Sequence, residues 1–170
     1  MYPSSPMKAM FLAIGFLGSF FGQSRRIAAP AHTFSELTPA DVVRLNQQRD
    51  VVLAAARTRF GTVALTRTQK DLPILQKLID DKVFDKSQTY QLQCLGVAFG
   101  DVLASELPLR WVIITDEYGR DPTLRYKNSD LNINALTMLS KRVEKGESVN
   151  LSWLLHTTRE QLAYYDQGAR

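Results

Sequence analysis

The sequence predicts one α+β domain, made of N-terminal helices, a three-stranded antiparallel meander and two C-terminal helices. Three observations support this class. Apolar residues recur at helical spacing through residues 38–106, a β-branched and aromatic run occupies residues 110–115, and helical spacing returns after residue 137. A chain of 170 residues fits a single domain, which we place at residues 38–165.

The first helix of this domain has clear signals at both ends. Thr38 is a good N-cap residue, Pro39 suits the first helical position, and Asp41 places a carboxylate near the positive end of the helix dipole. Gly61 can close the C-terminus because glycine readily adopts the left-handed conformation that ends many helices. The spacing therefore predicts a long helix between Thr38 and Gly61.

Two more helices are predicted before the strands. One begins with Asp71 as its cap, and the next begins at Asp85 or Ser87 and ends near Glu106. The third helix has small residues at every fourth position, and such a stripe predicts the close approach of another backbone. These residues are Gly96, Gly100 and Ala104. On the same helix, Cys94 is expected to be a small buried hydrophobic residue.

The strands follow Pro108. Residues 110–115 are apolar on both alternating faces, which predicts a central strand covered on both sides. Turn residues at 116–122 lead to a short second strand at 123–126, and residues 131–135 alternate as a half-exposed strand does. Two helices close the domain, one from Thr137 through Lys145 and one capped by Ser148 or Asn150.

The N-terminal region resembles an export signal. Residues 10–22 form an uncharged, mostly apolar run whose length fits a signal peptide better than a membrane-spanning helix. We therefore expect a signal peptide or anchor at residues 1–24, a linker at residues 25–37 and a periplasmic or secreted protein. Cleavage could follow Ser24 or Ala31, and translation could start at Met1 or Met7. Because Arg25 and Arg26 after the run resist translocation, anchoring to the inner membrane by residues 10–22 is the alternative.

Composition and charge exclude several classes of protein. A hydrophobic content of 45% excludes a disordered chain, and one Cys with two His cannot form a Cys/His zinc site without carboxylates. The first 31 residues contain three of the 21 basic residues and no acidic residue, so the remainder is almost neutral. Nucleic-acid binding requires a concentrated basic patch, and none is visible. We expect no metal, no cofactor and no nucleic-acid partner.

Charged and polar side chains concentrate in residues 116–121, which we call the turn segment. Binding groups commonly lie on loops held by a rigid scaffold. The candidate residues are Asp116, Glu117, Tyr118, Arg120 and Asp121, together with Asn132 and Asn134 on one face of the third strand. The competing interpretation is that Arg120 pairs with a neighbouring carboxylate and the turn segment is a solvated structural element.

Three sequence motifs resemble a known bacterial family. They are LGVAFGD at residues 95–101, WVIITDEYGRDP at 111–122 and TMLSKRVEKGE at 137–147. They are similar to the family catalogued as domain of unknown function 3806, over about residues 65–155. Pro108 departs from the family, which tends to have Gly ahead of the Trp strand. The resemblance implies a bacterial origin and a shared fold, and it implies no activity.

We expect a non-catalytic module of the bacterial envelope that binds a protein or peptide through the turn segment and the adjacent sheet face. An inhibitor or immunity-type protein would be one form of it. The first alternative is a small hydrolase-like enzyme that uses Asp116, Asp121 and Asp101, because paired carboxylates can perform acid–base chemistry. The second is a purely structural envelope protein. His156 has no obvious acidic partner and is expected to be a surface or packed residue.

Overall fold

A computed structural model describes residues 32–62 and 64–168. It confirms the α+β class, with one antiparallel sheet in the strand order β1-β2-β3-β4. The strands are β1 (Thr33–Ser35), β2 (Leu109–Asp116), β3 (Gly119–Tyr126) and β4 (Asn132–Ile133). The helices are α1 (Pro39–Phe60), α2 (Leu72–Asp80), α3 (Thr89–Glu106), α4 (Ala135–Glu144) and α5 (Leu151–Gly168), with a 3-10 turn at Gln69–Asp71.

The sheet has four strands in the described residues, so the prediction of a three-stranded meander was wrong in its count. The additional strand, β1, lies within the segment expected to be a linker. It pairs with β2, with Thr33 opposite Thr115 and Ser35 opposite Ile113. Three residues are too few to display a period of two. The pairing of β1 therefore depends on the open edge of β2, which is distant in sequence.

The β2–β3 hairpin is tighter than predicted. The two strands pair from Leu109 opposite Tyr126 to Asp116 opposite Gly119, so only two residues connect them and Pro122 lies inside β3. Proline cannot donate a backbone hydrogen bond to a neighbouring strand, so it is tolerated where a strand has no neighbour on that side. Strand β4 pairs with just two residues of β3, Leu124 and Arg125, so the outer side of β3 is unpaired at Pro122.

Helix caps agree with the sequence in part. Thr38 and Asp41 form a reciprocal capping box at the start of α1, and Gly61 ends that helix with φ 67°. Asn150 caps α5 by accepting the backbone N–H of Trp153 at 2.9 Å. The predicted cap of α3 was wrong, because Asp85 instead accepts the backbone N–H of Ser87 in the preceding turn, at 2.8 Å.

Two other predicted caps also differ. Asp71 occupies the predicted N-cap position of α2 but makes no capping bond, because its carboxylate accepts the backbone N–H groups of Thr66 and Arg67 at 2.9 and 2.7 Å. Helix α4 begins at Ala135, two residues before the predicted Thr137. Its cap is Asn134, whose side chain accepts the N–H of Thr137 at 3.3 Å. The strand expected at residues 131–135 is consequently reduced to Asn132–Ile133.

Helix α3 lies at the centre of the core and confirms the predicted close approach. A Cβ atom at Gly96 would lie 2.4 Å from the carbonyl oxygen of Ala135, and one at Gly100 would lie 2.5 Å from the Trp111 ring. Cys94 is fully buried, and burial raises the pKa of its thiol. Glycine at these two positions lets α3 pack directly against α4 and β2.

Across residues 32–62 and 64–168, no helix is long and apolar enough to cross a membrane. The expected signal peptide or anchor at residues 1–24, including the apolar run 10–22, lies outside the described residues.

Candidate functional site

The turn segment sits at the end of the hairpin and exposes one aromatic side chain. Tyr118 is 87% exposed. Asp116 accepts the backbone N–H groups of Tyr118 and Gly119 at 2.8 and 3.2 Å, and Gly119 has a φ of 137°. Asp116 is therefore occupied in fixing the turn, and the backbone beneath Tyr118 is held in one conformation.

Arg120 does not pair within the turn segment. It forms two hydrogen bonds to Asp41 on α1, from Nη1 to Oδ1 at 2.7 Å and from Nη2 to Oδ2 at 2.6 Å. The hydrogen bonds from Arg120, with others from Thr38, hold the pKa of the buried Asp41 far below its usual value of 3.8. A two-point contact between guanidinium and carboxylate fixes orientation as well as distance. The turn end of the hairpin is thereby fixed to the start of α1.

The remaining charges of the turn segment are acidic. Glu117 and Asp121 are exposed, and neither makes a side-chain hydrogen bond or ion pair within the part of the chain that the structure describes. Because Arg120 is directed toward Asp41, no cation of the turn segment balances them. The exposed end of the hairpin is therefore an acidic surface with a tyrosine at its apex.

The two predicted asparagines have separate structural roles. Asn132 lies in β4, where its side-chain oxygen accepts the hydroxyl of Thr123 at 3.2 Å. Asn134 lies beyond the strand and caps α4. The expectation that both share one strand face was wrong, because the strand ends at Ile133.

The carboxylates of the alternative enzyme hypothesis do not converge. Asp101 on α3 binds Arg49 through two hydrogen bonds at 2.6 and 2.7 Å, and accepts the indole N–H of Trp111 at 2.9 Å. Trp111 faces the helices, and side chains alternate between sheet faces along a strand. Asp116, five residues on, and Asp121, opposite Ile114, consequently lie on the other face. The sheet separates Asp101 from the two acidic residues of the turn segment.

That outer face of the sheet is a layer of paired side chains. The guanidinium of Arg125 lies 4.4 Å from the centre of the Phe34 ring, and Arg110 forms an ion pair with Glu36. Arg125 also donates to the carbonyl oxygens of Ser129 and Asn128 at 2.7 and 3.0 Å. Phe34 was not among the predicted site residues, because its strand was interpreted as linker.

His156 has an acidic neighbour that the sequence interpretation missed. Its Nε2 lies 3.2 Å from a carboxylate oxygen of Glu160, one helical turn along α5, and both side chains are exposed. The i, i+4 spacing was the available signal. No cluster of three or more His, Cys, Asp or Glu side chains that could hold a metal ion occurs in residues 32–62 and 64–168.

Comparisons with known proteins identify the domain and its fold. The family model described as "Domain of unknown function (DUF3806)" matches residues 71–154. No curated protein matches the chain in sequence. A crystal structure from Bacteroides thetaiotaomicron at 1.50 Å resolution is similar, with a TM-score of 0.69 and 14% identity over 82% of this chain and 52% of that chain. This chain thus spans about half the length of that protein, and at this identity the likeness concerns the fold alone.

Proposed function

Residues 71–154 belong to the DUF3806 family of domains of unknown function, and we propose that the protein is a non-catalytic module that binds a protein or peptide through its turn segment. The observation that supports this best is Tyr118, which is 87% exposed on a hairpin that is fixed at both ends of its turn. Exposed tyrosines on rigid scaffolds are frequent anchors of protein interfaces.

Rigidity favours binding because a partner then does not have to order the loop. Asp116 holds the turn, and Arg120, just after the turn, holds this end of the hairpin to Asp41. Fixing the backbone of a flexible segment on association costs roughly 1–2 kcal/mol for each residue. Here the fold itself has already met that cost for the backbone that presents Tyr118.

Charge defines the class of partner. Glu117 and Asp121 flank Tyr118, and the exposed part of the turn segment has no free cation within the described residues. Complementary potentials increase association rates and select against partners of the same charge. We infer that the partner presents a basic segment with an apolar or aromatic side chain that packs on Tyr118.

We further propose that the protein functions in the bacterial envelope. The apolar run at residues 10–22 supports this address, either as a removed export signal or as an inner-membrane anchor. Cell fractionation with mass analysis of the N-terminus tests the proposal. A membrane-fraction protein with intact residues 10–22 would support the anchor, and an intact chain in the cytosol would contradict both forms.

A peptide-display selection tests the binding function. Immobilised full-length protein is used to select peptides from a random library, with prior depletion on the support alone. We expect the selected peptides to be rich in Lys or Arg. We also expect their affinity, measured by isothermal titration calorimetry, to fall at least tenfold on Tyr118→Ala and several-fold on Glu117→Gln.

Tyr164 supplies a matched control, because it is another largely exposed tyrosine but lies on α5. Tyr164→Ala should bind the selected peptides with unchanged affinity. Both tyrosine variants should unfold at the wild-type urea midpoint, since neither side chain belongs to the core. Peptides that bind the wild type and Tyr118→Ala equally well would contradict the proposal.

A further inference from the structure

A concave cavity of about 400 Å³ lies between the α2–α3 connection and the C-terminal end of α4. Its apolar lining comes from three helices and the connection between two of them. These residues are Leu78, Ile79, Phe84, Leu92, Leu95 and Val143. Small-molecule sites in proteins are typically concave, largely apolar and about 300–1,000 Å³ in volume. The cavity shares no residue with the turn segment.

The polar residues of the cavity include both charge signs. Lys82 and Lys86 are exposed cations, while Asp85 and Glu147 are anions. The Asp85 carboxylate is partly occupied by the N–H of Ser87 at 2.8 Å. A simple fatty acid or a simple amine would meet a like charge as well as an opposite one. A ligand with both charges on a short polar end complements this arrangement better.

The backbone at Lys82 brings one of these cations to the cavity. Lys82 has a left-handed φ of 51°, and the N–H of Val83 donates to the carbonyl oxygen of Leu78 at 3.0 Å. This bond ends α2. Glycine is the usual residue in such a cap because it adopts the left-handed conformation without strain. A lysine in this position lines the cavity together with the apolar residues.

We propose that this cavity binds a short apolar zwitterion, namely an apolar amino acid or dipeptide with free termini. The apolar side chains occupy the cavity floor, the ligand carboxylate faces Lys82 and Lys86, and the ligand ammonium faces Asp85 and Glu147. This site is independent of the proposed protein-binding function, so either can fail without the other.

Isothermal titration calorimetry of the full chain with L-leucyl-L-leucine tests the site. We expect saturable binding with a Kd of about 0.1–1 mM, as is ordinary for a ligand of this size. Glycylglycine lacks the apolar side chains, and N-acetyl-leucyl-leucine amide lacks both charges. We expect each to bind at least tenfold more weakly than leucyl-leucine.

Variants then assign the binding to the cavity. Val143→Phe reduces the cavity volume and should weaken leucyl-leucine binding at least tenfold. Lys82→Gln with Lys86→Gln changes only exposed side chains, so it preserves folding, and it should weaken binding about three- to tenfold. Lys141→Gln is the matched control, because Lys141 is an exposed lysine of α4 that does not line the cavity. It should bind like the wild type.

Three results would each overturn the proposal: no saturable binding of leucyl-leucine up to 10 mM, equal binding of the uncharged derivative, or unchanged binding by the double lysine variant. Because the lysine variant is confined to the surface, poor folding of Val143→Phe does not prevent the test.

Discussion

Replacing Asp101 with asparagine removes the negative charge that neutralises a largely buried arginine. The carboxylate accepts Nε and Nη2 of Arg49 at 2.6 and 2.7 Å and the indole N–H of Trp111 at 2.9 Å. The two charged side chains are 14% and 6% exposed. An amide keeps the shape of the carboxylate, but it presents an NH₂ group or a neutral oxygen to the guanidinium. Arg49 then keeps its positive charge with no anion beside it.

The expected cost follows from that burial. Breaking a buried ion pair by removing one partner costs about 3–5 kcal/mol, and removing both charges in favour of apolar side chains is often neutral. Because water still reaches part of Arg49, we expect a loss of about 3 kcal/mol in the free energy of unfolding for Asp101→Asn. The double variant Arg49→Met with Asp101→Asn should recover most of this loss, because it removes the unpaired cation and keeps an amide oxygen that accepts the Trp111 indole N–H.

Urea denaturation followed by tryptophan fluorescence measures the effect. With a denaturant slope of about 1–3 kcal/mol/M, the midpoint of Asp101→Asn should fall by about 1–3 M. Glu36→Gln is the control, since its ion pair with Arg110 is largely exposed and such pairs contribute about 0–1 kcal/mol. If Asp101→Asn shifts the midpoint no more than Glu36→Gln, or if the double variant is less stable than Asp101→Asn, the reasoning is wrong.

Two other perturbations test contacts at the starts of α1 and α4. Because hydrogen bonds from Arg120 and Thr38 hold the pKa of Asp41 below its unfolded value, ionised Asp41 stabilises the fold above about pH 4, and that contribution is lost as the pH falls. The Tm difference between wild type and Asp41→Asn in calorimetry should therefore be large at pH 7 and shrink towards pH 3; a constant difference would contradict this. Gly96→Ala should lower the free energy of unfolding by about 1–3 kcal/mol in urea denaturation, because its Cβ would lie 2.4 Å from the carbonyl oxygen of Ala135. Equal or greater stability would disprove that contact.

Some signals that are local in sequence predicted the structure correctly, although the predicted caps of α3 and α4 were wrong. Thr38, predicted as the N-cap, and Asp41, predicted near the positive end of the dipole, are three residues apart, and the glycine stripe of α3 has a separation of four. The apolar run in β2 correctly indicated a strand covered on both faces, since Val112 and Ile113 are both fully buried. The first two features depend on residues three or four positions apart along the chain. The third depends on the burial of strand β2 on both of its faces.

Contacts between distant residues could not be predicted in the same way. Arg120 and Asp41 are 79 residues apart, and nothing in the sequence distinguishes Asp41 from the nearer carboxylates of the turn segment. Strand β1 shows the same limit, because its three residues acquire their structure from the edge of β2. The candidate list consequently did not distinguish the charges that the fold uses from those that it leaves exposed.

The proposed binding role of the turn segment and a merely structural role of the hairpin predict different effects of substitution. Asp116 and Arg120 hold the hairpin in place. These contacts are sufficient for a hairpin whose role is only structural. Tyr118, Glu117 and Asp121 add nothing to the core, and an exposed tyrosine at the apex keeps a large apolar ring in water. A structural account therefore predicts that these three side chains can be replaced without any measurable consequence. The binding account predicts unchanged stability together with a loss of affinity, and only the second measurement separates the two.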